Sequence, residues 1–216
     1  MTYLDIVNNV LRRLREEEVT TVTATTYSKM VGDFVNDAKK LIETAWDWTA
    51  LRTPTIVVST VDGTSSYTLS NSSDTIKVLD VINDTSNEFM EYQPVAWFND
   101  KYYNNEVVSG SPKYYTFENL DASGDTKIKV YPQPDGMYSL RFNSVIRNDS
   151  LSLDTDTLVI PEMPVIHLAI ALLARERGET GGTSTPEYFA IADKFLSDAI
   201  ALDAAKHPDE TTWYAP

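Results

Sequence analysis

The spacing of apolar side chains changes twice along this chain, and no other feature narrows its fold as far. Tyr3, Ile6, Val7, Val10, Leu11 and Leu14 fall on one stripe of a helix. Thr2 stands where it can cap that helix, and Asp5 sits near the positive end of its dipole. After a β-branched stretch at 20–26 comes a longer stripe of Tyr27, Met30, Val31, Phe34, Val35, Ala38, Leu41, Ile42, Ala45 and Trp46. Burial of such side chains contributes about 1.5–3 kcal/mol each, far more than helix propensity, so this helix needs packing partners to exist.

From residue 53 to 160 the period drops towards two. Short β-branched and aromatic runs at 55–61, 67–69, 76–82, 114–117, 127–131, 138–142 and 151–160 predict seven antiparallel strands. Turn residues at 62–63, 71–74, 123–125 and 134–136 separate them. Gly32 is the only glycine or proline in residues 1–51, whereas residues 52–160 are punctuated by both, which agrees with a helical start and a turn-rich middle. The stretch 94–105 fits a strand poorly and reads as a short helix or a long loop.

Helical spacing returns at Pro161. Val165, Ile166, Leu168, Ala169, Ile170, Leu172 and Leu173 are apolar nearly all round, which predicts a central, buried helix. A last helix starts at Thr185 and Pro186 and carries Tyr188, Ile191, Ala192, Phe195, Leu196, Ala199 and Leu202 as its expected buried stripe. The expected fold class is α+β: a four-helix bundle, from two N-terminal and two C-terminal helices, with an inserted antiparallel β-sandwich or barrel. The corresponding domains are a discontinuous helical domain at 1–52 and 161–206, a β domain at 53–160 and a tail at 207–216.

Composition removes several function classes. The chain has 216 residues, enough to bury a core without covalent staples, and no cysteine, which excludes disulfides, thiol nucleophiles and thiolate metal sites. The 2 histidines make no His-rich metal site. His167 lies in an apolar helix and reads as a core or subunit-contact residue; His207, beside Pro208, reads as a solvated helix end. Ser109-Gly110-Ser111-Pro112 has the wrong spacing for a nucleophile elbow and reads as a turn. The glycine-rich segment 178–182 lacks the lysine of a phosphate loop and reads as an interhelix connection. Asp149, Asp154 and Asp156 do not match an EF-hand and read as turn-flanking carboxylates. No catalytic, cofactor-binding or metal-binding residue is assigned.

Charge points the same way. With 18 Lys+Arg against 32 Asp+Glu, the formal charge is −14, which opposes direct binding of nucleic acid. The cluster Arg12, Arg13, Arg15 is followed at once by Glu16, Glu17 and Glu18, so local ion pairing is expected. The N-terminus shows no signal-peptide pattern, and the longest apolar run, 168–174, is far short of the roughly 18–20 residues that span a bilayer, so a soluble chain with no membrane partner is expected. Trp213 and Tyr214 are large aromatics in an otherwise polar tail and form the candidate partner interface.

The order of motifs resembles one family, the head-to-tail adaptor of short-tailed bacteriophages, also called tail tubular protein A. The resemblance lies in residues 3–15, in Val35-Asn36-Asp37-Ala38-Lys39 through 46–52, and in Gly110-Ser111-Pro112-Lys113-Tyr114-Tyr115. It continues through 130–142, Leu158-Val159-Ile160-Pro161-Glu162 and Arg175-Glu176-Arg177-Gly178-Glu179. Residues 84–109 and the tail after Lys206 lie outside it. The resemblance implies a structural virion protein with no enzymatic activity, metal or cofactor. It implies a homo-oligomeric, dodecameric ring between the portal protein and the tail nozzle protein, assembled in the host cytoplasm, whose channel passes genomic DNA without specific binding. The competing expectation is a β-sandwich module for carbohydrate or protein with helical flanks, using Trp97, Tyr102 and Tyr103 as exposed stacking groups.

Overall fold

The computed structural model describes residues 1–70, 72, 76–178 and 185–207. The chain divides into two compact units, one of Met1–Leu51 with Asn148–Pro216 and one of Arg52–Arg147.

In the helical unit, α1 (Tyr3–Arg13) begins in a capping box: the Asp5 amide donates to Thr2 Oγ1 and the Thr2 amide donates to the Asp5 carboxylate, both at 3.2 Å. Helix α2 (Thr26–Ala45) repeats the device with Thr25 and Ser28 at 3.0 Å. Gly32 permits the close approach of α1 to α2, since a Cβ there would lie 2.9 Å from Val22 Cγ1 and collide with the Tyr3 hydroxyl. A 3₁₀ turn at Thr49–Leu51 closes the N-terminal part.

Helix α4 (Glu162–Arg177) is central, as its all-round apolar sequence predicts. Val165, Ile166, Ala169 and the run from Ile170 to Ala174 are buried, and α1, α2 and α5 (Thr185–Ala204) all pack on it. It stops at Gly178, whose φ of 62° is the left-handed conformation that glycine supplies without a steric penalty.

Two expectations fail in this unit. Residues 151–160 form no strand: the segment makes one isolated bridge between Thr157 and Thr2, and its backbone caps the chain start through Tyr3 N to Asp156 O at 2.7 Å. The reason is local competition for backbone donors, because the Asp156 carboxylate takes the amides of Ser152 and Leu153 and Asp154 takes that of Val22. Helix α5 is also rotated from its expected stripe. Ala192 is buried as expected, but Ile191 and Leu202 of that stripe are exposed and Asp203, outside it, is buried.

In the β unit two four-stranded sheets pack face to face. The first runs β1 (Arg52–Ser59), β8 (Ser139–Val145), β3 (Lys77–Asn83), β4 (Glu88–Phe89); the second runs β2 (Ser66–Thr68), β7 (Thr126–Tyr131), β6 (Tyr114–Leu120), β5 (Glu91–Tyr92). Val81, Leu140 and Phe142 of the first sheet meet Tyr115, Ile128 and Val130 of the second in one core cluster with Leu69 and Met90.

Not every pair is antiparallel, as had been expected. One extended run, 88–92, changes sheets at the buried Met90, so its first half pairs antiparallel with β3 while its second half pairs parallel with β6. Its direction is set by the first pairing and carried unchanged into the second sheet. The stretch 94–105 resolves into α3 (Val95–Asn99) and a π turn at Asp100–Asn104. This helix covers the face of the second sheet opposite the core, where Tyr114 and Tyr131 point because they alternate with Tyr115 and Val130.

Candidate interaction surfaces

The polar groups of the helical unit are used to hold its parts together. Asn36 clamps Leu151 from both sides, donating to its carbonyl at 3.0 Å and accepting from its amide at 2.8 Å. One turn on, Lys39 is only 1% exposed and donates to the carbonyls of Asn148 and Asp149 at 2.8 and 2.9 Å, with Glu43 Oε1 at 3.0 Å. Two backbone carbonyls accept from the ammonium and a carboxylate lies beside it, which is the condition under which a buried cation is tolerated. Sequence reasoning passed over this pair. The available signal was its placement, since Lys39 and Glu43 lie beside Gly32 on the buried arc of α2.

A second cluster explains the rotation of α5. Asp203 accepts from the Thr49 amide at 2.8 Å, from Trp46 Nε1 at 3.2 Å and from Lys206 Nζ at 2.9 Å. Burial opposes ionisation of this carboxyl, but those hydrogen bonds outweigh it and hold the group below the usual aspartate range. Asp203 must therefore face inwards, which turns Leu202 out. His207 closes the cluster with Nε2 3.0 Å from Thr49 Oγ1, so it is not the solvated helix end that its sequence suggested.

His167 stacks on Phe195 with ring centroids 4.3 Å apart, and Arg13 Nη1 donates to its Nε2 at 2.9 Å. Burial and the neighbouring guanidinium push its pKa down, which keeps the ring neutral and accepting. It joins α1, α4 and α5 through these two contacts. Arg12 pairs with Glu18 at 3.2 Å, the local pairing expected.

In the β unit the three expected stacking residues separate. Trp97 packs against Tyr114 and Tyr131 with centroids 5.0 and 5.3 Å away, and the Tyr102 hydroxyl donates to the Val130 carbonyl at 2.6 Å. Burial pushes the Tyr102 pKa up to about 12. Tyr103 alone is open to solvent, with Lys129 Nζ 5.6 Å from its ring and 4.6 Å from that of Tyr102. Trp97 and Tyr102 fasten α3 to the sheet, so no shared platform for a sugar ring exists.

Among the described residues, no group of three or more His, Cys, Asp or Glu side chains is placed to hold a metal ion. No helix among them is long and apolar enough to cross a membrane. Trp213 and Tyr214 lie outside the described residues, as do positions 179–182 of the glycine-rich loop.

The family model for SU10 adaptor protein matches residues 1–212. The chain belongs to the SU10 adaptor protein family. No curated protein matches it. Members of this family are phage head-to-tail adaptors, so the chain is a structural component of the virion at the head-tail junction, interacting with other phage head and tail proteins.

Proposed function

We propose that this adaptor is a connector subunit of a short-tailed phage, forming a dodecameric ring between the portal protein and the tail nozzle that extends the DNA exit channel. The observation that carries this reading is the family match, which runs through both units and leaves only the last residues uncovered. The helical unit is the ring-forming body and the inserted β unit presents loops to neighbouring proteins. A net charge of −14 supports the channel role, because a protein with an excess of carboxylates guides duplex DNA without gripping it. The same charge makes copies repel one another, so subunits made in the host cytoplasm stay largely apart until the portal templates them.

Light scattering of the adaptor with and without its cognate portal tests the reading. A ring-sized rise in mass only when portal is present is expected, with no retardation of duplex DNA near physiological salt. An unchanged mass, or tight DNA binding with a steep salt slope, would count against it.

Trp213 and Tyr214 are proposed as anchors that become buried on the portal or a neighbouring copy, since their rings bring large area at little side-chain entropy cost. Deleting residues 209–216 is expected to leave the melting temperature nearly unchanged and to weaken portal binding. Equal binding by the truncated and full-length chains would eliminate the anchors.

A further inference from the structure

Three loops at one pole of the β unit combine exposed apolar side chains with a stiff backbone. The chain enters this unit at Arg52 and leaves it after Val145, and these two residues are paired neighbours on β1 and β8. Thr60 and Tyr138 stand at the opposite ends of the same two strands, about 25 Å away. There Val61 is 61% exposed, Met137 79%, Val108 53% and Val107 40%, and none of the four belongs to the core cluster. Val61 and Met137 flank the Thr60–Tyr138 pair, in which the Thr60 amide donates to the Tyr138 carbonyl at 2.9 Å. The hydroxyl of the buried Thr60 accepts from the Tyr138 amide and donates to the Gly136 carbonyl, both at 2.8 Å. Gly63 N donates to Pro134 O at 2.9 Å, Gln133 N to Val108 O at 3.0 Å and Gly110 N to Gln133 O at 2.8 Å, so loops 61–65, 105–112 and 132–138 are tied to one another. Loops held in this way lose little conformational entropy on binding, and exposed apolar side chains gathered on them mark an interaction surface.

We infer that this tip docks on the tail nozzle protein, placing Val61, Met137 and Val108 in an apolar socket rimmed by Lys or Arg. Charge sets the chemistry of the partner. The charged residues of the three loops are Asp62, Glu106 and Asp135, all of them exposed and all carboxylates. The cations on adjoining segments are engaged inside the unit: Lys113 pairs with Glu88, Arg141 with Asp84 and Lys129 with Glu118, while Lys101 lies over the Trp97 ring. The tip therefore keeps an acidic rim, which favours a cationic partner and disfavours a second copy of a chain whose net charge is −14. The portal and neighbouring copies are assigned above to Trp213 and Tyr214 in the tail of the helical unit, which leaves the nozzle for the β unit. The inference rests on the connector reading and names its nozzle contact.

The test uses the full chain assembled on cognate portal and titrates purified cognate nozzle protein onto it at several salt concentrations, read by biolayer interferometry. Wild-type assemblies are expected to bind nozzle, and to bind it more weakly as salt rises. M137S/V61T shortens or polarises two exposed side chains and is expected to bind nozzle about tenfold more weakly, with unchanged portal assembly and melting temperature. D62N/E106Q/D135N is expected to slow association with nozzle and flatten its salt dependence. Nozzle binding by M137S/V61T equal to wild type, an unchanged salt dependence in the carboxylate variant, or a loss of portal assembly in place of nozzle binding would each overturn the tip while leaving the connector reading intact. Portal assemblies of wild type that bind no nozzle would overturn the tip and the nozzle contact of that reading together. If no assembly forms on portal the connector reading fails, and the same titration on the free chain decides the tip.

Discussion

Replacing Lys39 by methionine isolates the most consequential polar contact in the helical unit. Methionine keeps the length and most of the packing of the side chain but removes two donated hydrogen bonds, to Asn148 O and Asp149 O, and the ion pair with Glu43 Oε1. The side chain of Glu43 is 1% exposed, so its carboxylate stays buried after the Lys39 ammonium beside it is gone. Removing one member of a buried pair costs about 3–5 kcal/mol. A domain has only about 5–15 kcal/mol of stability in total, so K39M should remove roughly a fifth of it or more. The double variant K39M/E43L takes away both charges of the pair, and the two carbonyls left short of a donor cost about 1–3 kcal/mol. It should therefore be more stable than K39M, a non-additivity that packing loss by itself does not produce. Urea unfolding followed by helical circular dichroism measures both. A K39M cost below about 1 kcal/mol, or a double variant less stable than K39M, would refute the reasoning.

Two further outcomes follow from the same unit. Gly32→Ala should lower its stability by about 1–3 kcal/mol, because the added methyl group meets Val22 Cγ1 and the Tyr3 hydroxyl; thermal unfolding checks this, and an unchanged or higher melting temperature would show that α1 has room to move. For Asp203, whose folded pKa is depressed, the stability due to its ionised form is fully present above the unfolded value of about 3.9 and is lost as pH falls through the folded value. D203N should flatten that part of the acid dependence of unfolding, and identical acid profiles for variant and wild type would remove the carboxylate from the account.

The sequence by itself determined the elements whose evidence is local. Four long helices and six of the seven expected strands are written in apolar spacing, because an element that buries a face repeats its apolar side chains with its own period. The caps of α1 and the glycine that ends α4 were legible for the same reason. Family membership was legible as well, through runs such as Val35-Asn36-Asp37-Ala38-Lys39, and the structure shows why two of those residues matter: Asn36 and Lys39 hold segments more than 100 residues away.

Only the tertiary structure decided what depends on a distant partner. Residues 151–160 alternate like a strand, but their backbone is claimed by their own carboxylates and by the chain start. Helix α5 has apolar residues on more than one flank, and Asp203, capping a turn 154 residues earlier in the chain, chose which flank faces inwards. The run 88–92 could not be read as two strands of different sheets, since nothing local marks Met90 as the crossing point. Trp97 and Tyr102 looked like exposed rings in a loop until α3 laid them on the outer face of a sheet. In each case a hydrogen bond or a covered face lying far off in sequence outweighed a local preference of a few tenths of a kcal/mol to about 1 kcal/mol per residue, and apolar spacing carries no record of where that partner is.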